Sequence, residues 1–90
     1  MLPRIKRVRH LQDYRLALTF TNGEQGEIDL RDRVVGRGGV FQPLEQIAFF
    51  KQVAVEPESG TLVWPNGVDL DPDVLYSKTM AVPLPPLAVA

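Results

Sequence analysis

Apolar residues occupy every second position from Tyr14 to Phe20, with Arg15, Ala17 and Thr19 between them, and this alternation predicts a strand with one buried face. Gly26, Ile28 and Leu30 alternate with Gln25, Glu27 and Asp29 in a second such run, and Asn22-Gly23 lies between the two. A two-residue turn at that dipeptide would set Leu18 against Glu27, placing the carboxylates of the second strand opposite the apolar face of the first. A three-residue loop, Thr21-Asn22-Gly23 with Gly23 in the left-handed region, instead pairs Leu18 with Gly26, Leu16 with Ile28 and Tyr14 with Leu30. This register gathers the apolar residues on one face and is the one expected.

Residues 4–10 suit a strand after Pro3, although Ile5 and Val8 fall on opposite faces of an ideal one. Asp32 to Val35 allow one helical turn, and Gly36-Arg37-Gly38-Gly39 reads as a flexible connection. Pro43 is expected to open a helix of about two turns carrying Leu44, Ile47, Ala48 and Phe50. Gln52 to Val55 and Thr61 to Trp64 flank Glu56-Pro57-Glu58-Ser59-Gly60 and read as a second hairpin. Asp71 is expected to cap a last helix, with Pro72 in its first position and Asp73 in its first turn. Residues 80–90 carry no charge and three prolines, and read as a disordered or extended apolar tail. The sum is one small α+β domain over residues 1–79, about five short strands in an antiparallel sheet packed by two or three short helices.

Charge adds direction to this pattern. Ten Lys and Arg against eleven Asp and Glu leave no global pull toward nucleic acid or membrane, but five of the cations fall in the first fifteen residues. Residues 52 to 76 carry Glu56, Glu58, Asp69, Asp71 and Asp73 and no cation, so the chain is polar end to end. The absence of cysteine removes disulfides, thiolate metal sites and thiol nucleophiles, and fits a reducing cytoplasm. No run approaches the roughly 20 apolar residues of a spanning helix, so a soluble cytoplasmic protein with no membrane contact is expected.

Few residues carry chemistry. Asp69, Asp71 and Asp73 imitate the first half of a calcium loop, but Val74 and Met80 stand where the loop needs glycine and a bidentate glutamate, so capping explains them better than a metal. His10, the one histidine, would have to act with Ser59 or Ser77, neither in a nucleophile turn, and reads as a solvated group at the end of a basic strand. No catalytic residue and no cofactor are expected. The basic strand Arg4, Lys6, Arg7 and Arg9 is the best contact surface, for an acidic protein or for phosphates. Trp64 reads as a core anchor fixing the last strand against the final helix, met by Leu75 and Tyr76, with its edge and Asp69 as further contact candidates.

Tyr14-x-Leu16-x-Leu18-x-Phe20, Asn22-Gly23-Glu24, Phe41-x-x-Leu44, Phe50-x-x-Val53-x-Val55 and above all Trp64-Pro65-Asn66-Gly67-x-Asp69-Leu70-x-Pro72-x-x-Leu75-Tyr76 resemble a bacterial family catalogued as domain of unknown function 2442. The resemblance covers residues 4 to 78 and implies a compact α+β domain without an established catalytic activity. It also implies two settings for relatives, an appended helix-turn-helix domain or a neighbouring small toxin-like protein, and the short proline-rich stretch after Tyr76 fits the first poorly. The leading expectation is a non-catalytic module binding a protein partner, antitoxin-like, through the basic strand, the 64–76 turn or the tail. A nucleic-acid-associated regulator using the basic strand comes second, and a metal-dependent enzyme using Asp69, Asp71 and Asp73 third. A homodimer is compatible with an unpaired edge strand.

Overall fold

The alternating segments pair as two antiparallel sheets of three strands, seen in a computed structural model that describes residues 3–80. The first sheet has the order β1 (Ile5–Gln12), β2 (Arg15–Phe20), β3 (Gln25–Asp29), and the second β4 (Ala54–Val55), β5 (Leu62–Val63), β6 (Asp69–Leu70). Between the sheets the chain forms α1 (Arg31–Val34), a 3-10 helix (Gly39–Glu45) and α2 (Ile47–Phe50), and α3 (Pro72–Met80) follows β6. The architecture is α+β as expected, with six strands rather than five. Met80, the first residue of the expected tail, is instead the last residue of α3, and the remainder of that tail, 81–90, lies outside the described residues.

The β2–β3 register is the one the three-residue loop requires, with Leu16 opposite Ile28 and Leu18 opposite Gly26. Phe20 N–H donates to Glu24 O and Gly23 N–H to Phe20 O, both at 2.9 Å, with Gly23 at φ +89°. β1 resolves its untidy pattern by irregular pairing. Ile5 lies opposite Phe20 and Arg7 opposite Thr19, so Lys6 is an extra residue at a bulge that returns Val8 to the inner face beside Leu18. A second shift falls between His10 and Gln12, and β1 runs two residues beyond its expected end. His10 therefore is not free in solvent. It is half-buried opposite Leu16, its Nε2 is 2.8 Å from Asp13 O, and its ring meets Phe50 edge-on.

The helix expected from Pro43 departs most from the sequence reading. Pro43 lies inside a 3-10 helix that starts at Gly39, and Gln46 is extended (φ −80°, ψ 121°), which separates that segment from the single turn of α2. The break lets Leu44 and Phe50 both point into the core, where each is fully buried. The core itself unites both sheets: Leu16, Leu18, Phe20, Ile28 and Leu30 from the first, Leu62, Trp64 and Val68 from the second, with Val34 and Leu75 from helices. Gly26 is the close-approach point of α3, since a Cβ there would lie 2.5 Å from the Thr79 methyl.

The two sheets are joined at the N-terminus of the chain. Ile5 N–H donates to Gly60 O at 3.0 Å, Thr21 N–H to Arg4 O at 2.8 Å, and the Arg4 guanidinium to Ser59 O. A Cβ on Gly60 would collide with that of Arg4, so the crossing requires glycine, at a φ of +68° that also favours it.

Candidate functional site

Strand pleating divides the basic residues of β1 between different surfaces. Arg7 and Arg9 stand on the outer face of the first sheet, opposite the core, in two rungs: Arg7-Thr19-Gln25 and Arg9-Ala17-Glu27. The two guanidinium stems rise about 7 Å apart along the strand. Small side chains at Ala17 and Thr19 leave a shallow concavity of about 620 Å³ between the arginine rungs and Glu27. Arg15 adds a third cation, held 3.0 Å from Glu27 with both side chains largely exposed. Among the described residues Arg7 and Arg9 make no ion pair.

Arg4 and Lys6 do not join this pair. Lys6 is exposed at the bulge, and Arg4 turns toward the second sheet, where it shares a concavity of about 420 Å³ with Thr61, Asp69, Asp71, Pro72 and Asp73. The second acidic-basic neighbourhood of the chain is thus internal, the N-terminal arginine beside the acids of the 69–73 segment. Asp71 Oδ1 accepts from Asp73 N–H at 2.8 Å, the expected cap of α3. Among the described residues no three His, Asp or Glu side chains converge as a metal site.

Trp64 is 2% exposed, so its edge offers no surface. Its Nε1–H donates to Phe50 O at 2.8 Å and its ring lies 5.7 Å from that of Phe50. Tyr76 does not return to Trp64 as the sequence reading had it. Its ring packs edge-on against Phe20 and its hydroxyl donates to Glu24. That bond, with one from Asn22, holds the Glu24 carboxyl below its usual value, and the same contact raises Tyr76. Lys78, 3.1 Å from Asp32, lowers the Asp32 carboxyl in the same way and ties α3 to α1. Pro65-Asn66-Gly67 forms a three-residue loop like the first: Trp64 N–H donates to Val68 O, Gly67 N–H to Trp64 O, and Gly67 has φ +90°. Asn66 uses its amide to reach Val40 O at 2.9 Å.

Of the six contact candidates, then, Arg7 and Arg9 share one face, Arg4 and Asp69 line another concavity, Lys6 stands apart and Trp64 is core. Ala17, Thr19, Gln25 and Glu27, which complete the outer face, were not singled out by sequence. Their signal was available in the register, since the polar positions of two paired strands must share a face.

The model of the family described as "Protein of unknown function (DUF2442)" matches residues 5–81, and the chain belongs to that family. No curated protein matches it. Among solved structures it is similar to the crystal structure of a "Putative DNA Binding Protein" from Nitrosomonas europaea ATCC 19718, with a TM-score of 0.76 and 24% identity over 88% of this chain. The match covers 50% of that protein, so this chain spans half its length, and the likeness is one of fold. Among the described residues no helix is long and apolar enough to cross a membrane.

Proposed function

For this member of a family of unknown function, we propose a non-catalytic module that binds a protein partner through the outer face of its first sheet. The observation that carries the reading is the pair of exposed arginines on adjacent rungs, without an ion pair among the described residues, facing Gln25 and Glu27 across the small Ala17 and Thr19. Mixed charge on one face suits a protein surface, where opposite charges must be matched locally, better than a phosphate backbone, which Glu27 and Asp29 would repel. The partner class is a small toxin-like protein, for which the domain acts as the antitoxin-like binder in the cytoplasm. Co-expression with the product of the adjacent gene is the test. A stoichiometric complex lost in the Arg7→Glu, Arg9→Glu double variant is expected; a complex indifferent to both charges would sink the reading.

The name given to the Nitrosomonas europaea protein favours a second reading, DNA contact by the same arginines. Mobility shifts across salt concentrations separate the two. Two phosphate contacts give a log–log salt slope of roughly −2, and charge reversal at Arg7 and Arg9 removes it.

A further inference from the structure

A cleft of about 220 Å³ lies on the far side of β6 from β5, bounded by β6, α3 and the start of α1. Asp69, Leu70 and Asp71 all line it. Successive side chains of a strand point to opposite faces, so the two consecutive β6 residues Asp69 and Leu70 lining one cleft present the strand edge. The hydrogen-bond alternation agrees. Trp64 N–H donates to Val68 O, so that rung is hydrogen-bonded, and the next, Val63 opposite Asp69, is not. The N–H and C=O of Asp69 therefore point away from β5, toward the cleft. Leu30, Leu70, Val74 and Leu75 give the cleft an apolar lining, and Arg33 and Lys78 contribute two cations. Arg33 makes no ion pair among the described residues, and Lys78 holds only the exposed Asp32.

We propose that this cleft binds the carboxy-terminal end of an extended peptide. The peptide main chain pairs with the edge at Asp69, which no other described strand covers, the last side chain, aliphatic, rests on the apolar lining, and the terminal carboxylate is taken by Arg33 and Lys78. The size fits one residue, since the volume is below the roughly 300–1,000 Å³ of sites that enclose drug-sized ligands. Asp69 and Asp71 on the strand side oppose a bare anion and favour a basic residue before the last, so the complementary sequence ends in Lys-Leu or a close equivalent.

The test is an NMR titration of the ¹⁵N-labelled full chain with acetyl-Gly-Lys-Leu bearing a free carboxylate. Saturable shifts at Asp69, Leu70 and Asp71 are expected, and amidation of the peptide terminus should weaken binding about tenfold or more. Arg33→Gln should weaken it similarly without lowering the melting midpoint, and Lys78→Gln provides a second variant. Equal binding of acid and amide peptides, shifts confined to Thr19 and Gln25, or no saturable shift would each overturn the assignment. The cleft shares no residue with the outer sheet face, so charge reversal at Arg7 and Arg9 leaves this binding unchanged and the two surfaces stand or fall separately.

Discussion

Phe20-Thr21-Asn22-Gly23-Glu24 and Trp64-Pro65-Asn66-Gly67-Val68 adopt one backbone design in two sheets, and they differ in everything they touch. Each places an aromatic before the loop, an asparagine whose Oδ1 accepts from the N–H two residues on, and a glycine near φ +90°. The first turn ends on a half-buried carboxylate that shares the side of Phe20, so Glu24 meets Tyr76 of α3. The second buries its last residue, Val68, and instead uses Asn66 to hold Val40 and Trp64 to hold Phe50. Local sequence sets the shape of such a loop; the residue after the glycine and the aromatic before it decide what the loop fastens.

The largest break in the comparison is at the aromatics. Trp64→Ala removes a buried ring together with the shorter of two hydrogen bonds to Phe50 O, the other coming from Val53 N–H, and a loss of about 3–5 kcal/mol in denaturant unfolding is expected. Trp64→Phe keeps most of the packing and leaves that carbonyl with the Val53 N–H as its remaining donor, for a loss of about 0.5–1.5 kcal/mol. Phe20→Trp, the reverse exchange, buries an indole N–H where Phe20 has nothing to donate, and is expected to lose stability through that donor as well as through overpacking.

The glycines test whether the turns are equivalent. Gly23 and Gly67 have open space where a Cβ would stand, so Gly→Ala at either costs only the left-handed backbone, about 1–2 kcal/mol and equal at the two sites. A clear inequality in chemical unfolding would show that one turn carries strain the other lacks.

The smallest effect is the sharpest in kind, because only the first turn titrates. Glu24 is depressed in the folded protein from 4.5, chiefly by the Tyr76 hydroxyl and then by Asn22, so its contribution is full above 4.5 and lost as pH falls through the folded value. Tyr76 is raised from 10.0 by the same bond, so its contribution is full below 10.0 and lost as pH rises through its folded value. Tyr76→Phe should flatten the stability profile on both flanks and move the Glu24 carboxyl titration, followed by ¹³C NMR, back toward 4.5. Val68→Ala in the second turn should leave the shape of the profile unchanged.

The parts of this fold that were legible in the sequence are those decided within one hairpin. Gly23 and the placement of apolar residues were enough to choose the β2–β3 register, and Asp71-Pro72 marked the start of α3. The bulge at Lys6 was visible only as the mismatch between Ile5 and Val8, because which residue is extruded depends on β2. β6 was missed: it is two residues long and alternation cannot be seen in Asp69-Leu70. The break at Gln46 was hidden because Leu44, Ile47 and Phe50 keep a helical spacing even though the backbone between them does not. For the same reason the basic strand looked like one surface when its residues divide among three. The peptide cleft joins Arg33 to Lys78, and no local spacing could have announced that pair.

The crossing of Arg4 over Gly60 gives the domain a particular order of events during synthesis. Arg4 is bound to Ser59, 55 positions later, so β1 can pair with β2 early but its Arg4–Ile5 end gains its contacts with Ser59 and Gly60 only after the second hairpin has left the ribosome. Until then β1 exposes the inner-face side chains of Ile5 and Val8 beside a run of cations, and those cations keep the nascent edge from pairing with another chain. On this view the charge of the N-terminal strand guards the chain before it is finished as well as presenting a surface afterwards.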